Sequence, residues 1–415
     1  MDYYDALEAR PPEQREAALM AALPEQIAHA KRNAPGFARI LAEVDPGAVN
    51  SRAALARLPV TRKSDLGELQ KKIPPLGGLN ATPREKLAKL FVSPGPIYEP
   101  EGRGKDWWRT ARGLYAGGFR AGDLVMNTFA YHFTPAGSML ESGALALDCS
   151  VVPTGVGQTE MQVAAIRDLG INAFIGTPSF LKLIADKADE LKLDISALKK
   201  AMVGAEYLPP ALRKAMAERG IRVMQLYATA DLGHLAYETA LPDDTLNEGM
   251  VLDEGLILEI VRPGTGDPVP EGEVGEVVIT TFNRDYPLVR FGTGDLSAVL
   301  AGPSPCGRSN TRIKGWMGRA DQSTKVRALF VTAKQVSEIL RRHPEVLRAR
   351  LVVEGEVGQD RMILKCEAKE RPAGLDQAIV ASIRDVTKLR GETEFLAPGS
   401  LPNDGKVIDD LRKYG

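Results

Sequence analysis

Two short runs in this chain end in residue types that suit a flat, charged ligand. They are KAMVGAE (200–206) and RVMQLYATADLG (222–233). In a parallel α/β sheet, ligands bind beyond the carboxyl ends of the strands. Gly204 and Ala205 let a ring approach the backbone, and Glu206 follows them. Tyr227 offers a ring face, Ala228 and Thr229 continue the turn, and Asp231 can hold a hard cation through oxygen. The competing reading is a strand followed by a tight turn with a capping acid. A third run, YPLVRFGTGDL (286–296), sets Arg290 in an apolar strand and Asp295 after a Gly-Thr-Gly turn. An aspartate so placed accepts from two ribose hydroxyls, and a hairpin with an Arg–Asp pair fits equally well. Two further runs are GRADQSTKVRA (318–328) and LPNDGKVIDDL (401–411). In the latter, Lys406 lies in a glycine-containing loop before an expected final helix. Alone it reads as a solvated lysine.

The stretch FVSPGPIYEPEGRGK (91–105) is harder to read. Ser93, Gly95, Gly102, Gly104 and Lys105 are the ingredients of a loop that wraps phosphate. Pro94, Pro96 and Pro100 have no N–H to offer an oxyanion, and Glu99 and Glu101 repel one. It reads as a phosphate loop, a degraded one, or only a turn between strands.

The elements that must carry these residues follow from pattern. The first sixty residues read as helices, with Pro12 and Pro24 as first-turn residues. From about 123, short apolar runs (123–129, 150–155, 171–177, 200–205, 222–228) alternate with amphipathic helices. Thr159 and Thr177 are the expected N-caps, and Gly170 follows one helix end. Strand and helix in alternation predict an α/β fold with a parallel sheet. From 255, GLILEIV, GEVVITTF and YPLVRF predict an antiparallel β subdomain. A small α+β unit with its own core follows. The boundary falls near Gly318–Asp321, giving an N-terminal ligand-binding domain over 1–318 and a C-terminal α+β lid domain over 319–415.

Bulk properties exclude several classes. The 415 residues are 44% hydrophobic and 26% charged, with a formal net charge of −1. No basic surface announces nucleic acid or membrane, and no apolar run approaches the ~20 residues of a membrane helix. The polar, acidic start MDYYDALEARPPEQ does not read as a secretory signal. Cys149, Cys306 and Cys366 are too dispersed for a disulfide framework, which suits a reducing cytoplasm. His29, His132, His234 and His343 show no metal-ligand spacing.

Taken in order, these elements resemble the phenylacetate–CoA ligase branch of the adenylate-forming enzymes. The resemblance rests on NAPGFARILAE, LARLPVTRKSDL, VVPTGVGQTE, GTPSFLKLIAD, VGAEYLPPALRKAM, LYATADLG, YPLVRFGTGDL, CGRSNTRIKGWMGRADQ and LPNDGKVIDDLR. It spans nearly the whole chain. It implies that Gly204, Ala205 and Glu206 line an adenine on which Tyr227 stacks. Asp231 stands for the family's magnesium-serving glutamate, Asp295 binds the ribose hydroxyls, and Arg319 supports ribose and phosphate. Asp321 is the implied hinge, and Lys406 bridges the acyl carboxylate and the α-phosphate. ATP and Mg²⁺ are thus implied, with coenzyme A as co-substrate.

The family's phosphate loop matches the stretch from Phe91, where Ser93 and Gly95 survive. Pro94, Pro96 and Ile97 replace donors there, and Glu99 replaces a useful cation. Ala230 replaces a hydroxyl, Asp231 is one methylene short, Ala328 replaces a hinge glycine, and Gly292 replaces a basic or polar residue. Ser304-Pro305-Cys306 lacks one cysteine of a Cys-Pro-Cys that holds zinc in some relatives, so no zinc is expected. Tyr131, His132, Phe133, Gly155 and Val156 are candidate walls of the acyl pocket. The resemblance implies an ATP-dependent acyl- or aryl-CoA ligase acting on a small hydrophobic or aromatic carboxylic acid in the cytoplasm. No nucleic-acid or membrane partner is expected, and a homodimer is left open. The alternative is a non-catalytic or adenylation-impaired homologue that binds AMP, an acyl-adenylate or acyl-CoA.

Overall fold

The computed structural model describes residues 2–93, 96–320, 322–326, 329–355, 361–404 and 406–412. The chain forms two compact units. One comprises Met1–Leu258, Ile279–Phe291 and Val299–Gly315, and the other Glu259–Val278, Gly292–Ala298 and Trp316–Gly415. The fold is α/β, with parallel and antiparallel pairing in mixed sheets.

The first unit is built on a nine-stranded sheet. Its parallel part has the spatial order Arg222–Thr229, Lys200–Val203, Ala173–Gly176, Leu124–Asn127, Ser150–Val152. Gly233–Tyr237, Met250–Leu252, Arg312–Ile313 and Val299–Leu300 extend it in antiparallel pairs. Alternate residues of the parallel strands enter two separate cores. Val125, Ile175, Met202 and Met224 share one with the helices Thr110–Ala116 and Ala136–Ala146. Met126, Phe174, Ala201, Val203 and Val223 share the other with Thr159–Leu169 and Pro178–Leu191. This period of two, apolar on both faces, is what a sheet covered by helices on each side requires. After Leu124–Asn127 the chain adds Ser150–Val152 on one side and Ala173–Gly176 on the other. The carboxyl end of Leu124–Asn127 is therefore a topological switch point, where open α/β sheets hold ligands.

Several local expectations need correction. The first helix, Pro12–Asn33, runs through Pro24 rather than starting there. Leu19, Leu23, Ile27 and Ala30 bury one continuous face. Burial of that stripe outweighs the one bond that Pro24 cannot donate. Thr177 caps its helix by accepting from Phe180 N at 3.2 Å, but Thr159 is the first helical residue and caps nothing. Tyr286–Arg290 is not a strand. The strand is Phe291–Ser297, and Gly292, Thr293 and Gly294 lie within it rather than forming a turn. Tyr286, Leu288 and Val289 are nonetheless buried, so their hydrophobicity reported depth and not extended pairing.

The second unit contains the sheet Glu392–Leu396, Arg361–Ala368, Val346–Glu354, Ile408–Asp410. The helices Ala333–Arg341 and Leu375–Thr387 share its core through Val336, Ile339, Ile379 and Ile383. A capping box of Thr332 and Gln335 opens the first of these helices. After Lys406 comes a strand, Ile408–Asp410, parallel to Leu351–Val353, and not the expected helix. Ile408 is 7% exposed and joins the core, so a three-residue strand suffices there. The three cysteines are buried free thiols. Among the described residues no helix is long and apolar enough to cross a membrane.

Trp108 fastens the stretch around 91–105 to the large core. It is fully buried, packs against Phe91 and Trp107, and donates from Nε1 to Glu101 Oε2 at 2.8 Å. Trp108→Ala should cost roughly 3–5 kcal/mol of stability, read as a lowered denaturant midpoint. A loss under about 1 kcal/mol would show that the indole is not part of the core.

Candidate active site

The stretch that begins at Phe91 is a β-hairpin. Lys89–Ser93 pairs antiparallel with Ile97–Glu101, placing Ser93 opposite Ile97 and Phe91 opposite Glu99. Glu99 does not face solvent as a loose like charge. It is fully buried, and it takes both donors that Ser93 has: the hydroxyl, and the N–H at 3.2 Å. Burial pushes the Glu99 carboxyl up to about 7. The Ser93 hydrogen bond and Lys63 pull it down, and the nearby Asp231 charge adds to the rise. Gly102 leaves no room for a side chain, because a Cβ there would strike Trp107 and Asp285. Gly95 lies outside the described residues.

Beside the hairpin is a cluster that the candidate residues foreshadow only in part. Lys63, from the segment LPVTRKSDL, places Nζ 2.6 Å from Asp231 Oδ2. Asp231 Oδ1 and the Tyr286 hydroxyl are buried and have no hydrogen-bond partner among the described residues. Burial holds the Tyr286 phenol well above its ordinary value, and Asp231 and Glu99 add to that. Ser93 and Asp231 were legible as candidates. Lys63, Glu99 and Tyr286 needed the fold, because 187 positions in sequence separate Glu99 from Tyr286 (286 − 99). Asp231 was expected to hold a cation, and its free oxygen is of the right type. Among the described residues no group of three or more His, Cys, Asp or Glu is arranged to hold a metal. A magnesium ion would therefore draw most of its ligands from phosphate and water.

The carboxyl edge of the parallel sheet gathers the remaining candidates of the first unit. Ala205 sits at φ +66°, a left-handed conformation that costs a non-glycine residue about 1 kcal/mol. Glu206 accepts from Ser179 N at 3.2 Å and Ser179 Oγ at 2.9 Å, and its carbonyl accepts from Gln225 Nε2. Gly204 packs against Leu226. Tyr227 is nearly buried, and Thr229 Oγ1 accepts from Leu232 N. Beyond the switch-point strand, the Tyr131 hydroxyl accepts from Asn127 Nδ2 at 2.9 Å. Burial and its hydrogen bond to Glu141 hold the Tyr131 phenol well above its ordinary value. His132 is exposed. Phe133 is 74% exposed at φ +61°, and its carbonyl accepts from Val92 N of the hairpin at 2.7 Å. Gly155 is left-handed at φ +63°, and Val156 is 56% exposed. Arg290 differs from the expectation of a ligand-facing cation. It is 1% exposed, and its guanidinium donates to the carbonyls of Ala56 and Leu58.

In the second unit, Asp295 accepts from Arg319 Nη1 at 2.9 Å and from Trp316 Nε1 at 3.1 Å. Asp295 thus forms an Arg–Asp pair with Arg319. Lys406 is about half exposed, with Nζ 3.2 Å from Asp409 and its backbone N–H on Asp404 Oδ1. Asp321 and Ala328 lie outside the described residues. In the first unit, Cys306 Sγ lies 3.1 Å from Ser304 Oγ and 3.3 Å from Thr239 Oγ1.

Known proteins resemble this chain along its length. The AMP-binding enzyme family matches residues 106–283. A phenylacetate-coenzyme A ligase of Thermus thermophilus is 30% identical over 451 aligned residues, covering 100% of both chains. A phenylacetate-coenzyme A ligase of Aromatoleum evansii is 31% identical, covering 82% of this chain and 79% of its own. Among solved structures, a 2-hydroxyisobutyryl-CoA ligase with 2-HIB-AMP and CoA superposes with a TM-score of 0.72. It is 24% identical, covering 97% of this chain and 93% of that one, and it supports the fold.

The buried Glu99 carboxyl makes stability depend on pH in a definite direction. Its folded value of about 7 lies above the ordinary 4.5, so the folded state binds the proton more tightly. Wild-type protein therefore loses this contribution as pH rises from about 4.5 to about 7. Glu99→Gln has no such proton. Its stability relative to wild type should climb by roughly 1–3 kcal/mol across that window and stay level above it. Denaturant midpoints of both proteins between pH 4.5 and 8.5 check this. A difference independent of pH would place Glu99 in water.

Proposed function

This chain belongs to the phenylacetate–coenzyme A ligase family of AMP-binding enzymes, and we propose how its residues carry out an acid–thiol ligation. The protein is an ATP-dependent acyl/aryl-CoA ligase: it activates a hydrophobic or aromatic carboxylate as an acyl-adenylate, then passes the acyl group to the coenzyme A thiol. The observation that carries the reading is the 30% identity to a ligase of that class over the whole chain.

In the first step a carboxylate oxygen attacks the α-phosphorus of ATP and pyrophosphate leaves. Two anions must meet, so the chemistry needs fixed positive charge and little from a general base. Lys406, by its place in LPNDGKVIDDLR, supplies the cation between carboxylate and α-phosphate. Its ammonium lies 3.2 Å from Asp409 and is half exposed, so it exchanges partners readily. Asp295 takes the ribose hydroxyls, and Arg319, already bound to Asp295, steadies that carboxylate and meets phosphate. Gly204, Ala205 and Glu206 flank the adenine, with Tyr227 against its face and Ala228 and Thr229 closing the turn. Arg290 acts from behind, holding Ala56 and Leu58 in place. Asp231 Oδ1 is the oxygen a magnesium ion would take, and that ion would supply charge neutralisation on the phosphates. In the second step the coenzyme A thiol sulfur attacks the acyl carbonyl carbon of the adenylate and AMP leaves. The acyl moiety lies among Tyr131, His132, Phe133, Gly155 and Val156, where the exposed apolar side chains of Phe133 and Val156 favour a hydrophobic or aromatic acid. Residues 319–415 act as the lid, turning about Asp321 between the two steps. Buried free thiols support a reducing cytoplasm as its setting.

Carboxylate-dependent exchange of pyrophosphate into ATP, run over a panel of aryl and fatty acids, tests the first step alone. Exchange with no acid would remove the ligase reading. Lys406→Ala should lower exchange on the order of 10²–10³-fold while sparing thioester formation from a supplied acyl-adenylate. Equal losses in both steps would deny Lys406 its role. Asp295→Ala should weaken ATP and AMP together by roughly 10-fold or more in calorimetry. Unchanged affinity for both nucleotides would take Asp295 out of the site.

A further inference from the structure

The hairpin poses a problem for the reaction just described. Its first strand ends at Ser93, which the resemblance matches to the family's phosphate loop. Neither donor is free. Both go to Glu99, which reaches across from the second strand of the same hairpin. A carboxylate with two acceptor oxygens on adjacent N–H and O–H groups makes the same hydrogen bonds as two oxygens of a phosphate. The carboxylate is fully buried and Ser93 is 7% exposed, so water does not compete for the pair. The charged and titratable neighbours are Asp231, Lys63 and Tyr286. Lys63 is committed to Asp231 at 2.6 Å and does not draw Glu99 away from Ser93.

We propose that Glu99 is an intramolecular competitor for the donors that the β- and γ-phosphates of ATP require, and so sets how tightly this ligase holds ATP relative to AMP. The proposal rests on reading the hairpin as the phosphate site. ATP engages Ser93 only by displacing a carboxylate already bonded there. AMP and the acyl-adenylate lack the outer phosphates and leave the Ser93–Glu99 pair intact. Glu99 thereby acts as a specificity-determining residue: it weakens the triphosphate selectively and favours departure of pyrophosphate once the adenylate has formed.

Calorimetric titration of the full chain with ATP and with AMP tests this, using Glu99→Gln alone and together with Ser93→Ala. Glutamine keeps the shape and loses the charge. Glu99→Gln should tighten ATP about tenfold and move AMP by less than about twofold. Adding Ser93→Ala should reduce the gain, since the hydroxyl is then missing while the backbone N–H remains. Glu99→Asp, one methylene short of Ser93, should give a smaller gain of the same kind. The proposal is overturned if Glu99→Gln leaves ATP unchanged or weaker. It is also overturned if ATP and AMP tighten together, or if the gain survives undiminished without the Ser93 hydroxyl. A selective ATP gain in a protein that shows no exchange with any acid would sink the ligase reading and leave the role of Glu99 standing.

Discussion

The ion pair between Lys63 and Asp231 joins the N-terminal helical segment to the carboxyl edge of the large sheet. At 2.6 Å, with the Asp231 side chain wholly buried, it is a pair that cannot be broken cheaply from one side. It also fixes the local charge. Two carboxylates, Glu99 and Asp231, share one nearby cation, and that cation is spent on Asp231. The other carboxylate satisfies itself by taking the Ser93 donors and by holding its proton more tightly. Burial raises the Glu99 carboxyl and the Asp231 charge adds to that rise, while Asp231 Oδ1 and the Tyr286 hydroxyl stay without partners among the described residues.

The same edge combines rigidity with strain. Ala205, Phe133 and Gly155 are left-handed where strands of the sheet end, and two of the three are not glycine. Such conformations persist only where surrounding bonds over-determine them. The bond from Val92 N to the Phe133 carbonyl is one of these. It links the loop after Leu124–Asn127 to the hairpin of Lys89–Ser93 and Ile97–Glu101, so the two form one hydrogen-bonded piece.

Much of this was legible in the sequence, for identifiable reasons. The parallel strands and their helices announce themselves because apolar runs of six or seven residues alternate with amphipathic ones. The edge residues at 204–206 and 227–231 follow from where those strands stop. What remained hidden was contact across long separations. Glu99 reads as a charge near phosphate until the hairpin register turns it inward. Arg290 reads as a ligand-facing cation until its guanidinium is found on the carbonyls of Ala56 and Leu58. Pro24 misleads because a proline's local cost is visible in sequence while the burial that outweighs it is not. The strand at Phe291–Ser297 was misplaced because buried glycines carry no hydrophobic signal.

The short strand Ile408–Asp410 has a mechanical consequence. Val407 N and Ile408 N both donate to Gln322 Oε1 at 2.7 Å, and Ile408 is paired with Leu351. Lys406 is thus tethered one residue ahead of a double anchor, about 3.5 Å of chain from the side chain next to position 321. The ammonium therefore travels with Gln322 and the strand at Leu351, and its position is set by those anchors and not by the wandering of a loop.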